Sequence, residues 1–137
     1  MTTLVKILRR SNARAPGKGL HVALWVVQIA AAAMFLMAGA GKLSGDPAVI
    51  GMFDALGLGQ WFRYFTSVTE LTGAALLLVP ALSGFGALLL SAVMVGALIT
   101  HAILGGSALM AFVLLLAMAF VAWGRRDRTL ALLERLV

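Results

Sequence analysis

The stretch that decides the fold is residues 71–124, LTGAALLLVPALSGFGALLLSAVMVGALITHAILGGSALMAFVLLLAMAFVAWG, which contains no Asp, Glu, Lys or Arg. A membrane-crossing helix needs about 20 predominantly apolar residues. These 54 positions therefore hold two such helices, and nearly three once the run is extended back through Glu70 to Tyr64. Two breaker clusters punctuate it, Val79-Pro80-Ala81-Leu82-Ser83-Gly84 and Gly105-Gly106,. Working outward from them, spans are expected at about residues 20–41, 61–82, 85–104 and 107–123. The last two connections are so short that successive helices must be antiparallel neighbours. The expected fold is all-α, an integral membrane four-helix bundle running up-down-up-down, with short interfacial helices.

Composition supports the same class. Of 137 residues, 62% are hydrophobic and 12% charged, against about 25% charged in an average soluble domain. Such a chain is neither disordered nor polar enough to cover a soluble globule. The absence of cysteine excludes a disulfide scaffold, an iron–sulfur centre, thiol redox chemistry and a zinc knuckle,. The formal charge of +6 is a topology signal rather than a nucleic-acid footprint, and no nucleic-acid partner is expected. Lys6, Arg9, Arg10, Arg14 and Lys18 lie in a basic tail, residues 1–19, and Arg125, Arg126, Arg128 and Arg135 in a second, residues 125–137. Only Lys42 and Arg63 lie between them. Lys/Arg-rich tails stay cytoplasmic, and an even number of spans puts both there. Trp25, Trp61, Tyr64 and Trp123 fall near span ends, where an aromatic belt sits,. A cleaved signal peptide is the rival reading of the first span, but its apolar stretch exceeds the usual 7–15 residues.

Both tails interleave apolar and basic residues, as in Leu4, Val5, Lys6, Ile7, Leu8, Arg9 and Arg10, and are expected to lie against anionic lipid,. Between the first two spans, Asp46 precedes Pro47 as an N-cap does, and Gly57 suits a helix stop,. A short helix over Pro47–Leu56 is expected, its Val49, Ile50, Met52 and Phe53 covering the mouth of the bundle.

Ionisable groups inside a membrane cost about 2.5–3.5 kcal/mol each at a helix centre, so those that remain are candidates for function. The expected topology brings Lys42, Glu70 and His101, from three different helices, to the outer half of the membrane. Glu70 would lie on the order of 10–12 Å deep, at 1.5 Å per residue. Arg63 precedes Glu70 by two turns on the same face, with Thr66 between them. The expected ligand-binding set is Lys42, Arg63, Thr66, Glu70, Thr100 and His101, with Glu70 and His101 as catalytic candidates. Two roles stay open: a Lys42–Glu70–His101 clamp between helices, or a site for a ligand or proton. A membrane haem would want two axial ligands, and His21 lies at the opposite face from His101. The seven methionines scatter among Ala and Leu as packing residues,. Ala92, Gly96 and Thr100 have the small-xxx-small spacing of a close helix contact,. No metal-ligand spacing, phosphate loop or nucleophile elbow occurs, and no metal is expected.

Three blocks carry a resemblance: Phe35-Leu36-Met37-Ala38-Gly39-Ala40-Gly41-Lys42-Leu43, Arg63-Tyr64-Phe65-Thr66-Ser67-Val68-Thr69-Glu70-Leu71-Thr72-Gly73 and Met94-Val95-Gly96-Ala97-Leu98-Ile99-Thr100-His101. In order and spacing they resemble the DoxX family of small four-helix bacterial membrane proteins, over roughly Leu24 to Trp123. The family's typical Lys, Glu and His fall on Lys42, Glu70 and His101. Ser67 departs from a frequent glycine, which would loosen a helix contact slightly. The resemblance implies a multi-pass protein of the bacterial inner membrane. Some members are subunits of a thiosulfate:quinone oxidoreductase; others associate with superoxide dismutase and a sulfurtransferase in oxidative-stress defence. The expected role is an accessory subunit of redox or quinone metabolism whose site holds a quinone or other amphipathic molecule. Its partners would be the lipid bilayer and redox-protein subunits. The alternatives are a small enzyme using Glu70 and His101 as acid and base on a lipid-soluble substrate, or a structural scaffold.

Overall fold

A computed structural model describes residue 3 and residues 17–136. Among the described residues there are six helices and no strand: α1 (Lys18–Leu43), α2 (Pro47–Leu56), α3 (Trp61–Leu77), α4 (Ser83–Leu104), α5 (Leu109–Gly124) and α6 (Arg126–Leu136). The amphipathic pattern at Leu4–Arg10 lies outside the described residues. The pattern after Arg125 forms α6.

Local chemistry accounts for the boundaries. Asp46 accepts a 3.0 Å hydrogen bond from the Ala48 amide, Pro47 occupies the first turn, and Gly57 ends α2 at φ 75°,. A side chain at Gly57 would be strained in that left-handed conformation. α3 stops at Leu77, short of the residue 82 expected from apolarity. Pro80 has no N–H and disfavours a helical conformation at Val79. The chain therefore tightens into bonds from Leu78 N to Ala75 O and Val79 N to Leu76 O, then turns, and α4 begins at Ser83.

α1 (26 residues) and α4 (22 residues) are long and apolar enough to cross a membrane. α5 and α6 together make a third candidate, bent by 61° at its break. α3 and α5, at 17 and 16 residues, reach about 25 Å each at 1.5 Å per residue, against about 30 Å of hydrocarbon core. Large apolar side chains such as Val26, Met37, Ile103, Leu109 and Leu116 face outward from these helices, a surface suited to lipid rather than water.

α1 packs on α3, α3 on α4, α4 on α5, and α5 back on α1. The core between them is built mostly from Leu24, Ala32, Phe35, Leu77, Leu90 and Met118. The backbones of α3 and α4 meet closely at Gly86, where a Cβ would stand 2.9 Å from the Gly73 carbonyl oxygen and the Leu77 nitrogen. Ala92, Gly96 and Thr100 do not make this contact: a Cβ at Gly96 would meet open space, and all three line a cavity. The close-packing stripe of α4 is at its N-terminal end, because that is where it leaves the short turn from α3. Gly86→Val should therefore lower stability by about 1–3 kcal/mol through overpacking against rigid backbone, read as a lower melting temperature in detergent.

Candidate functional site

The cavity lies where α3 and α4 are no longer held together by glycine. It has a volume of about 440 Å³, within the usual range for small-molecule pockets. α1 contributes Phe35, Ala38 and Lys42, and α2 covers one side with Met52, Phe53 and Leu56. α3 contributes Thr66, Thr69 and Glu70, and α4 supplies the opposite wall with Ala97, Thr100 and His101. Of the apolar residues expected over the mouth, Met52 and Phe53 line it; Val49 and Ile50 are half-buried and do not.

The strongest polar contact is between Lys42 in the last turn of α1 and Glu70 in the middle of α3, with Nζ 2.6 Å from Oε1. Glu70 is 1% exposed. An isolated carboxylate there would be costly, and the Lys42 ammonium compensates it. Its second oxygen, Oε2, is buried and has no hydrogen-bond partner. Such an atom forgoes the bonds it would make in water, unless something else occupies the cavity.

Two further bonds fix this wall. Arg63 donates from its terminal nitrogen to the Lys42 carbonyl and from Nε to Gln60 Oε1 at 2.8 Å, and its guanidinium lies over the Tyr64 ring. Arg63 thereby satisfies a carbonyl of the C-terminal turn of α1, which has no partner in its own helix. Its side chain is spent on that contact and does not line the cavity. Ser67, fully buried, donates to the Gly39 carbonyl at 2.6 Å. The serine at this position ties α3 to α1 by a hydrogen bond, rather than loosening their contact.

The expected set is thus partly assembled. Lys42, Thr66, Glu70, Thr100 and His101 share the cavity, whereas Arg63 braces it from outside. Lys42 and Glu70 form a pair without His101: the His101 Nδ1 lies 3.4 Å from the Gly105 carbonyl oxygen of its own helix end. The physical reason is placement, since α1 and α3 are packed neighbours while α4 stands across the cavity. Thr69 and the rings of Phe35, Phe62 and Phe65 join the lining as well. The hydropathy pattern treats those rings as core or lipid-facing; only the Lys42–Glu70 depth marks their level.

A second polar cluster lies at the opposite end of the helices. Arg125, 1% exposed, donates from Nε to Gln28 Oε1 at 2.7 Å, and its NH1 lies 3.0 Å from His21 Nδ1. Gln28, fully buried, donates in turn to the Leu77 carbonyl at 2.7 Å. Arg128 donates to the Pro80 carbonyl at 3.1 Å. Arg126 donates to the Trp123 carbonyl at 2.7 Å, which places positive charge against a C-terminal carbonyl of α5, where the helix dipole favours it. Arg125 reads in the sequence as one tail cation among several, and no local signal separates it from Arg126.

A family model, that of the DoxX-like family, matches residues 26–123. No curated protein matches the chain, and no solved structure does.

Proposed function

The chain belongs to the DoxX-like family and is a small membrane protein, and from that premise we propose that it is an accessory protein that holds an amphipathic small molecule. The reading places α1, α3, α4 and α5 as four spans of a bacterial inner membrane, up-down-up-down, with both termini cytoplasmic. α2 would lie on the outer surface, and the short α3 and α5 would be accommodated by local thinning of the bilayer. The basic tails 1–19 and 125–137 would flank this 20–124 domain on the cytoplasmic face. The cavity then opens in the outer leaflet. A quinone-like head would meet Lys42, Glu70 and His101, and its tail would follow the apolar walls. Such a molecule, and any redox subunit docked beside it, would link the protein to quinone or oxidative-stress metabolism.

The observation that carries this reading is Glu70, whose buried Oε2 has no partner and which lines a cavity otherwise walled mostly by apolar side chains. A purely structural clamp has no use for the space beside it. The test is extraction of the purified protein followed by mass spectrometry. A stoichiometric amphiphile is expected, and Ala97→Phe, which fills the α4 wall, should lower its amount about tenfold, a difference of only about 1.4 kcal/mol. An empty wild-type protein whose melting is also unmoved by added quinones refutes the reading.

A second reading has one observation in its favour: Glu70 and His101 line the same cavity. That placement serves a membrane enzyme using them as acid and base on a lipid-soluble substrate. Turnover of the extracted molecule, abolished in His101→Phe with binding retained, separates this reading from the first.

A further inference from the structure

Donors and acceptors are unequally available on the cavity wall. Three threonine hydroxyls line it, and each already donates its proton to a carbonyl of its own helix. Thr66 donates to Phe62 O at 2.9 Å, Thr69 to Phe65 O at 2.8 Å, and Thr100 to Gly96 O at 3.0 Å. A hydroxyl whose single proton is committed offers a ligand only lone pairs. His101 Nδ1 lies 3.4 Å from the Gly105 carbonyl oxygen at the end of its own helix. Glu70 Oε2 is an acceptor by nature and has no partner. Against these stands the Lys42 ammonium, a donor already engaged with Glu70 Oε1. The pair carries no net charge, so a charged head would enter without a counter-ion.

We infer that the cavity selects a neutral amphiphile whose head donates a hydrogen bond, a hydroxyl-bearing alcohol or phenol, over the same molecule with that proton removed or masked. This rests on the reading that the cavity is a ligand site and narrows what the site takes. Among the amphiphiles proposed above, one with only a ketone, ether or oxidised quinone carbonyl is the weaker fit, because it brings another acceptor to an acceptor-rich wall. A hydroxyl completes Glu70 Oε2. A buried acceptor left unpaired costs about 1–3 kcal/mol, so a head that pairs it gains roughly a 5- to 150-fold preference. The rings of Phe35, Phe53, Phe62 and Phe65 beside the polar wall favour a flat head, and offset ring contacts would add to the preference for a phenol.

The experiment uses the full-length protein in detergent, with 4-octylphenol, its methyl ether 4-octylanisole and 1-dodecanol as probes, each titrated while thermal melting is followed. 4-Octylphenol should raise the melting temperature and bind at least tenfold more tightly than 4-octylanisole, and Ala97→Phe should abolish the response. In Glu70→Gln the amide supplies donors as well as an acceptor, so the two probes should converge. If that variant does not fold, Thr66→Val removes one acceptor and should narrow the gap in the same direction. A response to 1-dodecanol close to that of 4-octylphenol supports the hydroxyl as the feature read; a weaker one supports hydroxyl and ring together. Equal binding of phenol and anisole, both lost in Ala97→Phe, overturns the donor preference while leaving the ligand site standing. Silence toward all three probes, or shifts that survive Ala97→Phe, overturns the preference together with the site.

Discussion

Lys42→Met is expected to cost about 3–5 kcal/mol of stability, the range for removing one partner of a buried ion pair. The loss comes from what remains: Glu70, 1% exposed, is left buried with its Lys42 partner gone from Oε1 and with Oε2 already unpartnered. The double variant Lys42→Met/Glu70→Leu should recover most of the loss, because an ion pair and a well-packed apolar pair are often close in energy. Denaturant titration of both variants in micelles measures the difference. A double variant as unstable as the single one would show that the charges themselves hold α1 to α3. Recovery of the fold with loss of the extracted amphiphile would assign the pair to ligand binding.

Gln28→Leu is expected to cost about 2–4 kcal/mol. The Gln28 amide stands between two buried groups, accepting from Arg125 Nε at 2.7 Å and donating to Leu77 O at 2.7 Å. Leucine fills a similar volume but leaves a buried guanidinium N–H and a helix-terminal carbonyl without partners, at about 1–3 kcal/mol for each group orphaned. Arg125 NH2 is already unpartnered, so no spare bond is at hand to compensate. Because the two residues share one network, Gln28→Leu/Arg125→Met should cost less than the sum of the single changes, by about 1–2 kcal/mol. Strict additivity in a melting series would show that Gln28 and Arg125 act independently.

The all-helical fold was legible because lipid-facing helices need no polar partners, so apolar runs and breakers mark them directly. The 47–56 helix was legible to the residue, since Asp46, Pro47 and Gly57 each carry a cap signal of their own. The end of α3 was not: residues 78–82 are as apolar as a helix interior, and the turn there follows from backbone constraints at Val79-Pro80 that hydropathy does not register. For the site, depth along antiparallel helices picked out Lys42, Glu70 and His101, yet depth has no angular component. It could not tell that Lys42 and Glu70 touch while His101 stands across a cavity. Nor could it tell that Arg63, on the Glu70 face, spends its side chain on the Lys42 carbonyl. The Arg125 network escaped for a related reason: charge counting assigns sides of a membrane and is blind to which cation turns inward.

The bracing of the cavity is lopsided. α1 and α3 are cross-tied by Lys42 to Glu70, Arg63 to the Lys42 carbonyl, and Ser67 to the Gly39 carbonyl. The facing part of α4 directs the bonds of Thr100 and His101 back into its own chain, and Gly96 has open space where a Cβ would stand. One wall therefore behaves as a stiff plate and the other as a leaf held by dispersion forces alone. The free energy of local opening is lowest where polar ties are fewest. For the amphiphile proposed above, entry and exit are then expected on the α4 side, and substitutions there should tune exchange rates without disturbing the plate that carries the charge.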